Sequence, residues 1–215
     1  MKLLLTSSGL SKRAIGERLQ QLVAPKTPSE VRVAFIPTAA NVEPYSKDWL
    51  IGQFLQLQRY GFYQIDIVDI AADGVDWQSR LAEADVLWLS GGNTFYLLDQ
   101  VRKTGFDEWL KTHGKGKVYV GGSASTILMT PTIKVAKGID ENVVGINDLT
   151  GLGYVDFEIG VHCDAVMLEA MAEYARTSEH NVYALDDLSA IVIEDDNVEV
   201  ISGGSWKYYA KERSE

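Results

Sequence analysis

Short apolar runs rich in β-branched residues alternate with amphipathic helical patterns over the first 121 residues of the chain. Such runs are typical of buried strands, and their alternation with helices indicates a mostly parallel sheet with helices on both faces. The strands predicted in this part lie at residues 2–6, 31–36, 65–69, 86–90 and 118–121. The helices predicted between them lie at residues 11–22, 47–60, 76–82 and 94–105.

The remainder of the chain has a different pattern. Two strands, at residues 154–161 and 182–185, are predicted with a helix over residues 165–177 between them. Three more strands, at residues 190–193, 198–201 and 206–210, follow one another with no room for helices. This spacing is typical of an antiparallel β-meander. We therefore predict one domain, residues 1–215: a three-layer α/β sandwich with a mostly parallel central sheet and an antiparallel C-terminal β extension.

The composition narrows the functional class. The chain has 215 residues, 46% hydrophobic and 23% charged, as expected for a globular protein. A formal net charge of −10 disfavours nucleic acid and anionic membranes as partners. The single cysteine, Cys163, is typical of a reducing compartment. Since no apolar run suits a signal peptide or a membrane span, we expect a cytoplasmic protein.

The segment from Lys117 to Met129 holds the most informative motif. A buried strand leads into Gly121, Gly122 and Ser123, and an apolar helix follows. This order is that of a nucleophile elbow, in which a sharp strand-to-helix turn exposes a serine hydroxyl above the sheet. Serine is also a favoured N-cap residue, so the motif alone leaves both a catalytic and a capping role open.

Other polar residues follow predicted strands at the edge of the sheet where ligands of open α/β sheets bind. Of the three histidines, only His162 ends an apolar strand at this edge, which makes it the candidate general base for Ser123. A thiol nucleophile or a metal site that combines His162 with Cys163 is disfavoured, because adjacent strand residues point to opposite faces. No metal and no cofactor is expected.

Five features occur in a characteristic order. They are the sequences AFIPTA at residues 34–39, GGNTFYLL at 91–98, GSA at 122–124 and PTI at 131–133, followed by His162. This arrangement resembles the peptidase E (aspartyl dipeptidase) and cyanophycinase family of serine peptidases, which share a fold with class I glutamine amidotransferases. The resemblance extends from residue 1 to about residue 204.

The resemblance implies a serine peptidase that cleaves a small peptide or amide substrate through an acyl-enzyme intermediate. Ser123 matches the family's nucleophile and His162 its base. The acid that orients the histidine matches Asp187 by position. Asp186, Asp164 and Asp140 are alternatives for that acid, and monomer and homodimer are both open.

An oxyanion hole is expected beside the nucleophile. The backbone N–H of Ala124 would supply one donor, and the turn formed by Gly91 and Gly92, followed by Asn93, would supply another and contact substrate. A phosphate-binding turn is disfavoured here, because the G-x-G-x-x-G spacing and a Walker lysine are absent.

The chain departs from the family pattern at two places. Ser125 stands where the family usually has glycine, two residues after the nucleophile. The family's longer, arginine-bearing loop after the base is also missing, and the first arginine after His162 is Arg176. A bidentate partner for an acidic substrate is therefore not evident. These departures motivate an alternative: a non-catalytic protein that keeps the fold and binds a small metabolite in the same cleft.

Overall fold

The alternating pattern produces ten strands in the computed structural model, which describes residues 1–211. Seven strands form the central sheet in the order β3-β2-β4-β5-β1-β8-β9. The first five of these are parallel, whereas β8 and β9 are antiparallel to their neighbours. The strands are β1 (Lys2–Thr6), β2 (Arg32–Ile36), β3 (Gln64–Ile67), β4 (Val86–Leu89), β5 (Val118–Gly122), β6 (Phe157–Gly160), β7 (Asn181–Leu185), β8 (Ser189–Glu194), β9 (Asn197–Ser202) and β10 (Trp206–Tyr209).

Helices cover both faces of this sheet. Side chains alternate along β1, so Leu4 joins the apolar cluster under α1 and α2, while Leu3 and Leu5 join the cluster on the opposite face. The opposite cluster contains residues of α3 to α7 and of the smaller sheet. The predicted three-layer α/β architecture is thereby confirmed. The helices are α1 (Arg13–Leu22), α2 (Asp48–Arg59), α3 (Trp77–Ala82), α4 (Thr94–Thr104), α5 (Phe106–His113), α6 (Ala124–Leu128) and α7 (Ala165–Thr177).

The C-terminal strands are antiparallel as predicted, but they do not form one meander. Strand β10 leaves β9 and pairs with β7 in a three-stranded sheet of order β10-β7-β6. Asp186, at the end of β7, binds the turn before β10 through two hydrogen bonds. Its backbone N–H donates to the carbonyl oxygen of Ser205, and its carboxylate accepts from the Ser205 N–H. The turn before β10 is thus held beside the end of β7.

The sequence pattern predicts no helix at residues 106–113, where the structure has α5. Helix α5 follows α4 after only Gly105, whose φ of 73° ends one helix and begins the next.

Within residues 1–211, no helix is both long enough and apolar enough to cross a bilayer.

Candidate active site

Ser123 joins β5 to α6 in a strained backbone conformation. Its φ of 55° and ψ of −111° lie where L-residues rarely occur, and such strain is typical of functional turns. Its side chain makes no capping hydrogen bond to α6. The close approach of Gly91 allows this turn, since a Cβ on Gly91 would stand 3.1 Å from the Ser123 Cβ. The hydroxyl is therefore free of the capping role that the sequence left open.

His162 lies against Ser123. Its Nε2 is 2.8 Å from Ser123 Oγ, and its Nδ1 is 2.5 Å from Asp187 Oδ1. The residue follows β6 with a φ of 56° and so turns its ring toward the end of β5. With a proton on Nδ1 facing the carboxylate, Nε2 is the acceptor for the serine hydroxyl. The structure thus brings the three predicted side chains into one hydrogen-bonded series.

Ser7, at the end of β1, connects two members of this series. Its hydroxyl oxygen accepts the backbone N–H of His162 at 2.8 Å, and the hydroxyl donates to Asp187 Oδ1 at 3.3 Å. Ser7 is fully buried. The sequence offered only its position at the active edge of the sheet, so its specific role was not predicted.

Two of the alternative acids cap helices. Asp164 accepts the N–H of Met167 at 2.8 Å and so caps α7. Asp140 Oδ2 accepts the backbone N–H of Thr94 at 2.8 Å and its hydroxyl at 2.5 Å, at the start of α4. Neither carboxylate is bonded to His162.

Asp186 serves the turn that precedes β10. Although partial burial opposes ionisation, hydrogen bonds from the Ser189 hydroxyl and the backbone N–H groups of Ser205 and Leu188 hold its pKa below the ordinary value. The Asp186 carboxylate is therefore occupied by hydrogen bonds to the segments on either side of β8 and β9 and not by His162. Asp187, whose side chain is 58% exposed, is the acid that contacts His162.

The residues of the predicted oxyanion hole have three different environments in the structure. Gly91 and Gly92 line the cleft, and Gly92 must be glycine because, at a φ of 134°, its Cβ would stand 2.2 Å from the Ala39 carbonyl oxygen. The Ala124 amide is the first of α6, where helical N–H groups have no intrahelical partner, but the residue is fully buried. In contrast to the expectation of a substrate contact, the Asn93 side chain caps α4.

Both polar atoms of the Asn93 side chain are engaged within the protein. Its Oδ1 accepts the N–H of Tyr96 at 2.9 Å, and its Nδ2 donates to the Glu141 carbonyl oxygen at 2.9 Å. The side chain is also buried, with 4% exposure. Its contribution is to begin α4 at the correct place behind the two glycines.

Ser125 and Cys163 are both removed from the reacting groups. The Ser125 hydroxyl is buried, accepts the Gly122 N–H at 2.8 Å and donates to the Leu89 carbonyl oxygen at 2.6 Å, so it joins the ends of β4 and β5. Burial raises the pKa of the Cys163 thiol to about 11, which keeps it protonated near neutral pH. Neither is placed to act as the nucleophile.

A cleft of about 420 Å³ opens above Ser123 and His162. Among residues 1–211, its lining includes Glu43 and Asp140 and no lysine or arginine. Arg176, the first arginine after His162, pairs instead with Glu173 on the exposed surface of α7. Within the described part of the chain, no group of three or more histidine, cysteine, aspartate or glutamate residues could hold a metal ion.

Comparisons with known proteins agree with this architecture. The family model described as Peptidase family S51 matches residues 3–201. An uncharacterized peptidase of Pasteurella multocida is 33% identical over 136 residues, which cover 60% of this chain and 64% of that protein. The peptidase E of Streptomyces coelicolor is 32% identical over 162 residues, which cover 74% of this chain and 63% of that protein. The matches thus span less than two thirds of either relative.

A solved structure has the same fold. The crystal structure of a candidate peptidase E from Listeria monocytogenes EGD-e superposes with a TM-score of 0.79 and covers 94% of this chain and 98% of that one. The two sequences are 24% identical, so this likeness concerns the fold.

Proposed function

The chain belongs to peptidase family S51, a family of serine peptidases, and we propose that it hydrolyses small peptides through an acyl-enzyme on Ser123. The observation that carries the proposal is the series Ser123, His162 and Asp187, with Oγ to Nε2 at 2.8 Å and Nδ1 to Oδ1 at 2.5 Å. A serine hydroxyl is a weak nucleophile at neutral pH, and a base within hydrogen-bond reach activates it.

The proposed reaction has two halves. Ser123 Oγ attacks the carbonyl carbon while its proton passes to His162 Nε2, and the carbonyl oxygen becomes an oxyanion. The oxyanion faces the turn of Gly91 and Gly92, whose amides donate to no other group within residues 1–211. The protonated Nε2 then gives its proton to the leaving amine, and the C–N bond breaks to leave the acyl-enzyme.

Water completes the cycle. His162 Nε2 takes a proton from a water molecule, and the resulting hydroxide attacks the acyl carbon. When the second oxyanion collapses, the proton returns from Nε2 to Ser123 Oγ and the carboxylic acid product leaves. Asp187 keeps the proton of the neutral ring on Nδ1 and stabilises the imidazolium formed in each half.

A binding protein with the same fold is the alternative function. It would be favoured by a packed side chain between Ser123 and His162. Instead, the two side chains are hydrogen-bonded and the cleft above them is open. This geometry supports the hydrolase.

Labelling with a fluorophosphonate tests the proposal. The reagent should modify Ser123 in the wild type and leave Ser123→Ala unlabelled, and fragmentation of the modified peptide distinguishes Ser123 from Ser125. Hydrolysis of a dipeptide library should be lost in the same variant. Equal labelling of Ser123→Ala, or modification of another residue, would contradict the proposed nucleophile.

A further inference from the structure

Helix α2 presents two glutamine side chains to the cleft beside Ser123. Gln53 and Gln56 are three residues apart and so share one face of the helix. Both line the cleft, and Gln53 is only 9% exposed. This face of α2 forms the wall of the cleft next to the end of β5.

The Gln53 side-chain amide has a defined orientation. Its Oε1 accepts the indole N–H of the fully buried Trp88 at 2.9 Å. Since an indole nitrogen can only donate, the oxygen must face Trp88 and the NH₂ group must point away from it. A Cβ placed on Gly122 would stand 3.8 Å from Gln53 Nε2, so the NH₂ group lies beside the residue that precedes Ser123. It has no hydrogen-bond partner within residues 1–211.

Gln56 repeats the arrangement one helical turn later. Its Oε1 accepts the backbone N–H of Leu10 at 2.8 Å. A backbone nitrogen also only donates, which again assigns the oxygen to the protein and leaves the NH₂ group without a partner among the described residues. Each glutamine therefore engages its oxygen within the protein and keeps its NH₂ donors for the cleft.

The charge of the cleft decides which acceptor suits these donors. Glu43 and Asp140 line it together with Gln53 and Gln56, and no lysine or arginine of the described part of the chain does. A substrate carboxylate would approach two acidic side chains with no lysine or arginine among the described lining residues to neutralise it, whereas a neutral carbonyl oxygen carries no such cost. Lys47, at the start of α2, donates to the Glu43 carbonyl oxygen.

We propose that Gln53 and Gln56 form a substrate-binding subsite that donates hydrogen bonds to a neutral carbonyl or carboxamide oxygen beside the scissile bond. This subsite selects peptides whose residue beside the scissile bond has an uncharged side chain over peptides whose residue there has a side-chain carboxylate. The inference rests on the proposed function, because Ser123 marks where the scissile bond lies. It names a substrate class different from the acidic dipeptides that the family resemblance implied.

Two variants remove the donors and keep the internal hydrogen bonds. In Gln53→Glu and Gln56→Glu, one carboxylate oxygen still accepts from Trp88 or Leu10, and the NH₂ group is replaced by an acceptor. Gln58→Glu is the matched control, because it adds the same charge to an exposed position of the same helix.

Binding is measured by calorimetry in a Ser123→Ala background, so that no turnover interferes. The probes are two dipeptides that differ only in asparagine or aspartate before phenylalanine. The asparagine peptide should bind at least about tenfold more tightly than the aspartate peptide, and Gln53→Glu or Gln56→Glu should weaken its binding about tenfold. Gln58→Glu should change it less than about twofold, as is usual for exposed substitutions.

The outcomes separate this subsite from the peptidase activity. Equal or tighter binding of the aspartate peptide, equal effects of Gln53→Glu and Gln58→Glu, or no binding of either peptide would overturn the subsite. Hydrolysis of both peptides by the wild type is assayed in parallel. Selective binding without hydrolysis would retain the subsite and contradict the peptidase. Hydrolysis that proceeds equally well in the wild type and in Gln53→Glu would retain the peptidase and contradict the subsite.

Discussion

The Ser7 hydroxyl oxygen lies 2.8 Å from the backbone nitrogen of His162, across a sequence separation of 155 residues. His162 has a φ of 56°, a conformation that costs a non-glycine residue of order 1 kcal/mol or more unless its surroundings hold it. Ser7 supplies that constraint and also donates to Asp187. The orientation of the proposed base thus depends on β1, a strand that carries none of the three reacting side chains.

Replacement of Ser7 tests this dependence. We expect Ser7→Ala to lower kcat about 10- to 100-fold with a smaller effect on KM. The imidazole would lose its fixed position, whereas Ser7, although it lines the cleft, is fully buried and offers little surface to a substrate. Steady-state kinetics and thermal unfolding would be measured together. Ser11→Ala is the control, since the buried Ser11 hydroxyl has no partner among the described residues. Equal effects of the two variants on kcat would refute a positioning role for Ser7.

The sequence predicted the main elements because their signals are local. Strands such as β4 are short apolar runs between polar residues, and the helix predicted at residues 165–177 coincides with α7. The helix predicted at residues 94–105 ends at Gly105, and the sequence pattern predicts no second helix directly after it, where α5 lies. Apolar Phe106, Trp109 and Leu110 have helical spacing and would have indicated it.

The sequence predicts a site residue where a residue type suited to the chemistry stands at the end of a predicted strand. Ser123 is marked by the elbow motif, and His162 is the one histidine at a predicted strand end, whereas Asp187 had three competitors that only their hydrogen bonds separate. The roles of Gln53 and Gln56 left no signal, because a glutamine on a helix is usually solvated. Their significance depends on Trp88 and on other contacts between segments distant in sequence.

Glu158 provides a prediction about stability and pH. This residue of β6 is 1% exposed and accepts a hydrogen bond from the Tyr174 hydroxyl. Burial raises the pKa of Glu158, although Tyr174, His180 and Lys134 partly oppose the shift. A raised pKa means that folding favours the protonated form. Its contribution to stability is complete below the unfolded-state pKa and is lost as pH rises through the folded-state pKa.

Glu158→Gln should therefore become more stable than the wild type as pH rises. Each unit of raised pKa is worth about 1.4 kcal/mol once the wild-type carboxyl ionises, and the amide oxygen can still accept from Tyr174. Urea unfolding between about pH 4 and 8 measures the difference, with Glu169→Gln at an exposed position as control. A difference that stays constant over this range would show that Glu158 ionisation is not coupled to folding.

Ser125 provides a prediction about the elbow. Ser125→Ala leaves the buried Gly122 N–H and Leu89 carbonyl oxygen without this partner, so the free energy of unfolding should fall by about 1–3 kcal/mol. Urea unfolding measures the loss, and fluorophosphonate should still label Ser123 in the folded variant. A folded Ser125→Ala protein that cannot be labelled would implicate Ser125 in the chemistry instead.

Asp187→Asn tests the assignment of the acid. An amide at this position cannot stabilise the imidazolium, and its NH₂ group can hold the ring with the proton on Nε2, where the serine hydroxyl needs an acceptor. We expect kcat to fall by about 10³- to 10⁴-fold. Folding should be unaffected, because the side chain is 58% exposed.

Asp164→Asn is the matched control: asparagine caps helices as well as aspartate does, so both kcat and stability should be retained. Both variants would be assayed for dipeptide hydrolysis and unfolded in urea. Loss of activity in Asp164→Asn with retention in Asp187→Asn would transfer the orienting role to Asp164.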